Sequence, residues 1–124
     1  MIEVNRQGEV WVFAEQEDAT LGEVPLELLG KGRELADKLS VGLAAVLPGA
    51  DVAGLADTLI AHGADKVYLV EHDLLGHYQA AAYRKVVCEL IERYKPQIIL
   101  YGATPLGRDL APTVASASCF LTTS

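Results

Sequence analysis

The chain has 124 residues, 51% of them hydrophobic and 22% charged, enough for one globular domain with a core of its own. Its net charge of −7 excludes a nucleic-acid backbone or an anionic membrane surface as the natural partner, since both call for clustered Lys and Arg. No apolar run approaches the ~20 residues that span a bilayer, which excludes membrane insertion as a helix.

Strand and helix patterns alternate along the chain. Glu9–Ala14 is rich in aromatic and β-branched residues and reads as a strand, with Trp11 and Phe13 on one face as core residues. Ile2–Val4 reads as a short edge strand joined to it through Gln7-Gly8. Glu15-Gln16-Glu17-Asp18 then forms an acidic loop, solvated or facing a basic partner, that would repel phosphate. Val24–Leu39 is helical, with Leu28, Leu35, Ala36 and Leu39 on one face and Gly32 there to let the helix approach a sheet closely.

Val41–Leu47 is an apolar strand ended by Pro48-Gly49. Asp51 is placed to cap a helix carrying Val52, Leu55, Ala56, Leu59 and Ile60, and Gly63 suits the position just past its end. Lys66–Val70 is the third main strand. Tyr78–Tyr94 is a helix with Tyr83, Val86, Val87, Leu90, Ile91 and Tyr94 on its inner face. Gln97–Tyr101 is the fourth strand, and a last helix starts at Pro105. Apolar strands separated by amphipathic helices imply an α/β fold: a three-layer, doubly wound, mostly parallel sheet of Rossmann-like type, with strand order 3-2-1-4 among the four main strands.

All strand C-termini of such a sheet open onto one rim, and ligands bind there. The best candidate site on it is Thr104-Pro105-Leu106-Gly107-Arg108, with Thr104 as helix cap. In one reading the N–H groups around Gly107 and the Arg108 guanidinium hold a phosphate; in the other this is an ordinary capped helix with an exposed arginine. Neither GxGxxG nor a Walker sequence is present. Pro112 withholds the N–H that the Arg108 carbonyl would receive, so the helix should bend or loosen there. His72 and His77 lie near acids on the same rim, without a recognisable nucleophile, so a small hydrolase has only proximity to recommend it. His62, beside Gly63, suits a structural role at a helix C-terminus. Cys88 and Cys119 have no metal-ligand spacing; the expectation is reduced thiols, no metal site, and a soluble, cytoplasmic protein without a signal peptide.

Four segments, in order and suitably spaced, resemble the N-terminal domain of the electron transfer flavoprotein α-subunit family. They are Val10-Trp11-Val12-Phe13-Ala14-Glu15, Leu28–Leu39 with its Gly-Lys-Gly-Arg-Glu-Leu-Ala core, Gly63-Ala64-Asp65-Lys66-Val67, and Gly102-Ala103-Thr104-Pro105-Leu106-Gly107-Arg108-Asp109-Leu110-Ala111-Pro112. The resemblance covers roughly residues 1–112 and implies a fold akin to adenine-nucleotide α-hydrolases and universal stress proteins. It implies a β subunit as heterodimer partner, with flavin dehydrogenases and a quinone reductase reached through the full complex. It places the working FAD mainly in a separate C-terminal domain, and AMP or a second FAD chiefly on the β subunit. Thr104, Gly107 and Arg108 would make at most minor nucleotide contacts.

Two departures stand out. The sequence stops at Ser124, so the expectation is a single domain over residues 1–124 without the family's FAD domain. Thr113 stands where an arginine is typical, and a Ser/Thr-rich tail of low charge follows it. The expected function is docking of the β subunit without catalysis by this chain alone, with a homodimer through the same surface when isolated. The alternative is a stand-alone adenine-nucleotide-binding module of the universal-stress type.

Overall fold

The structure, a computed structural model, describes residues 7–116. The suggested edge strand Ile2–Val4 and the tail after Ser116 lie outside the described residues. In chain order the elements are β1 (Val10–Phe13), β2 (Gln16–Glu17), β3 (Thr20–Leu21), α1 (Glu23–Leu39), β4 (Leu43–Gly49), α2 (Ala56–Ala61), β5 (Lys66–Glu71), α3 (Ala80–Tyr94), β6 (Ile98–Leu100) and α4 (Pro105–Ser116). Single 3-10 turns at Ala53–Leu55 and Asp73–Leu75 lead towards α2 and α3.

The main sheet has four strands in the order β5-β4-β1-β6, all parallel, which is the order the alternating pattern implies. β1 is the inner strand against which β4 and β6 are set in register, Val10 lying opposite Leu43 on one side and Ile98 on the other. One face packs Trp11, Phe13, Ala44, Val46 and Ile99 against α3 and α4. The other packs Val10, Val12, Leu43, Ala45 and Leu47 against α1 and α2. Every residue of β1 and β4 is buried, as expected for strands covered on both faces.

Helix α1 approaches the sheet closely at Gly32, as expected, but its buried stripe is rotated from the leucines named for it. Its buried positions are Pro25, Leu29, Gly32 and Ala36, while Leu28 and Leu35 are only partly covered and Leu39 is exposed. The small residues decide the rotation. A Cβ on Gly32 would stand 2.8 Å from Leu43 Cδ1 and 3.0 Å from Val12 Cγ2, so the helix backbone rests on the strands there.

Asp51 does not cap α2. It adopts φ 53°, Ala53–Leu55 forms a 3-10 turn, and Glu71 accepts the Val52 N–H at 3.1 Å. The far end of α2 follows expectation. Gly63 has φ 121°, its N–H reaches the Ile60 carbonyl, and the Ala64 N–H reaches Leu59, the paired bonds of a Schellman motif. The His62 ring contacts the Thr58 carbonyl through Nδ1 at 2.8 Å, a structural role.

β4 runs through Pro48 instead of stopping before it. The Pro48 carbonyl faces Gln16 beyond the end of β1, so the donor that proline lacks falls where there is no ladder to join. α4 likewise continues through Pro112. The acidic segment after β1 is a hairpin, with Asp18 and Ala19 both at positive φ between β2 and β3. Cys88 is half-buried on the α3 side of the core shared with α4. Cys119, the other cysteine of the sequence, lies outside the described residues.

Candidate functional site

The helices after β1 and β4 cover one face of the sheet, and those after β5 and β6 cover the other. The switch falls between the neighbours β1 and β6, and a crevice opens there beyond the strand ends. Glu15 enters it from the β1 side and Thr104 from the β6 side.

Thr104 performs the capping role its sequence position suggests. Its Oγ1 accepts the Gly107 N–H at 3.0 Å, and its carbonyl accepts the Arg108 N–H at 2.9 Å. The Thr104 hydroxyl in turn donates to the Glu15 carboxylate. Pro105, first residue of α4, has no N–H to offer. Gly107 is required by close approach: a Cβ there would lie 2.0 Å from the Gly102 carbonyl oxygen. Thr104 and Gly107 are thus brought together, and their polar groups serve the helix start.

The crevice has a volume of about 510 Å³ and is lined by Glu15, Glu17 and Glu23 together with Val24, Pro25 and Leu106. Arg108 borders a different hollow of about 380 Å³, with Tyr101, Ala111 and Pro112. It forms no ion pair among the described residues. Tyr101 is 3% exposed, stacks on Phe13 with ring centroids 5.8 Å apart, and its hydroxyl has no partner among the described residues. Burial pushes that phenol's pKa upward.

The remaining rim candidates stay apart. His72 caps the turn at Asp73–Leu75 by accepting the Leu74 N–H at Nδ1. His77 is exposed, 3.9 Å from Asp18. Neither meets a nucleophile, and no group of His, Cys, Asp and Glu among the described residues could hold a metal ion. No helix among them is long and apolar enough to cross a membrane.

Sequence reasoning misses an ion cluster at the opposite end of the strands. Glu9 receives hydrogen bonds from Tyr68 at 2.6 Å and Trp11 Nε1 at 3.1 Å, and Lys66 Nζ lies 2.7 Å away. Burial raises the Glu9 pKa, but these three contacts outweigh it and hold the carboxyl below its ordinary value. The signal available in the sequence is Trp11, which the strand pattern assigns to the core.

A parallel sheet covered by helices on both faces, with a crevice at its strand switch, defines a Rossmann-like α/β domain. Comparison with known proteins narrows this class: the electron transfer flavoprotein domain family matches residues 10–118. The chain belongs to that family. It is 50% identical over 107 residues to the electron transfer flavoprotein subunit alpha of Clostridium acetobutylicum, covering 86% of this chain and 32% of that protein. It is 52% identical over 107 residues to Protein FixB of Clostridium saccharobutylicum, again 86% and 32%. The acryloyl-CoA reductase electron transfer subunit beta of Anaerotignum propionicum is 40% identical over 114 residues, 92% of this chain and 31% of that protein. The chain spans about a third of the length of these relatives.

Proposed function

We propose that this chain serves electron transfer as the N-terminal domain of an electron transfer flavoprotein α subunit, docking a β subunit and performing no chemistry by itself. The observation that carries the reading is the family match across residues 10–118, from the first strand through the last described helix. In this reading flavin supplies the redox chemistry, and the protein supplies position and electrostatics. FAD is held by the C-terminal part of the longer relatives, AMP or a second FAD by the β subunit, and flavin dehydrogenases and a quinone acceptor meet the full complex. The setting is cytoplasmic. Any nucleotide contact from this chain falls to Arg108, whose guanidinium is unpaired among the described residues, with Thr104 and Gly107 shaping the helix start beneath it.

Co-expression with the β subunit of the Clostridium acetobutylicum relative tests this. A one-to-one complex on sedimentation is expected, while the chain purified alone is colourless and self-associates. A chain that remains apart from the β subunit, or that alone carries stoichiometric flavin, overturns the proposal.

A further inference from the structure

We propose that Glu15 is a specificity-determining residue of the switch-point crevice: its carboxylate stands where a ligand phosphate would be received and shuts nucleotides out. Open α/β sheets commonly take a phosphate at this place, on N–H groups at the start of the helix that follows the strand. Here several elements of such a site are spent or reversed. Pro105 has no N–H, the Gly107 N–H is held by Thr104 Oγ1, and the Arg108 N–H is held by the Thr104 carbonyl. The Thr104 hydroxyl, the side-chain donor at the helix start, points its proton at Glu15.

The glycine does not make room either. The space next to Gly107 is filled by the Gly102 carbonyl, which presents a partial negative charge. Glu17 and Glu23 line the same crevice, so a phosphate entering it meets three carboxylates. Arg108, the cation that would answer a phosphate, borders the neighbouring hollow. The residues at this entrance therefore do not fit a nucleotide phosphate. Glu15 itself is the anion that the helix start is built around.

The test titrates AMP and inorganic phosphate against the full chain and against Glu15→Gln, reading calorimetric heat and the shift in Tm. The amide keeps an oxygen that accepts the Thr104 hydroxyl, so the cap survives while the charge is removed. Glu15→Ala is the second variant, should the amide fold poorly. Unaltered chain is expected to bind neither ligand, and removal of the charge is expected to raise phosphate affinity about tenfold or more. Equal affinity in the unaltered chain and the variants, or no gain in either variant, overturns the proposal. Its failure is separate from that of the docking reading, which is measured by complex formation with the β subunit.

Discussion

Arg33 and Asp65 fasten α1 to the start of β5: Nη1 lies 3.1 Å from Oδ2, and the same Oδ2 accepts the Leu43 N–H at 2.9 Å. Arg33 also donates to the Gly63 carbonyl at 3.0 Å and pairs with Asp37 one turn further along its helix. One guanidinium thus ties together a helix, the Schellman end of α2 and two strands.

The Leu43 N–H, then Arg33, hold the Asp65 carboxyl below its ordinary range against a modest desolvation cost. A depressed carboxylate contributes stability that is present above its unfolded pKa and lost as pH falls through the folded one. Acid titration of stability should therefore show a downward step below the ordinary Asp range that Asp65→Asn lacks. Because Asp65 is half exposed, the substitution should cost only about 1 kcal/mol near neutral pH, measured by urea unfolding.

At the opposite edge of that strand end, Glu9→Ala would strand the Tyr68 hydroxyl and the Trp11 indole N–H. Leaving such partly buried groups unpaired should cost about 2 kcal/mol. The Tyr68 phenol is pushed up to about 12 by burial and then by Glu9. A raised folded pKa gives stability that is full below the unfolded value, near 10, and fades as pH climbs through the folded one. Ultraviolet titration should show one tyrosine ionising at lower pH in Glu9→Ala than in the unaltered chain, still above its ordinary value because burial remains.

Two glycines should respond in opposite directions. Gly107→Ala drives a methyl into the Gly102 carbonyl and should lower stability by about 3 kcal/mol, because a backbone atom has to move. Gly30→Ala, in the interior of α1 with nothing near its new methyl, should raise it by about 0.5–1 kcal/mol. Thermal unfolding of both variants checks the pair, and a loss in each would show that the free space beside Gly30 is misjudged.

Thr104→Val keeps the shape of the side chain and deletes its hydroxyl. The Gly107 N–H loses its acceptor and Glu15 its donor, so about 1–2 kcal/mol should go. Amide exchange should speed up in the first turn of α4 and stay unchanged in α3.

The strand order is legible in the sequence because each apolar run is bounded by turn residues and right-handed crossovers leave few arrangements. The Thr104 cap is legible because it is local: donor and acceptor are three residues apart. Its bond to Glu15 is not, since 89 residues separate the two and no spacing rule links them. The β2–β3 hairpin escapes because its turn is Asp18-Ala19, with positive φ in residues that do not advertise it and no glycine to mark the place. The close approach of α1 is legible in Gly32 and Ala36, but Leu29 is missed and Leu28, Leu35 and Leu39 are placed too deep, because the small residues, not the large ones, set the rotation of the helix against the sheet.

Trp11, the single tryptophan, sits wholly buried against Tyr68 with ring centroids 4.9 Å apart, far down β1 from the crevice. The protein therefore carries its own optical gauge toward the end of the sheet away from the crevice. Fluorescence emission will report loosening of the strand bases, while events at the rim leave it dark, so folding and binding can be followed in one cuvette without being confused.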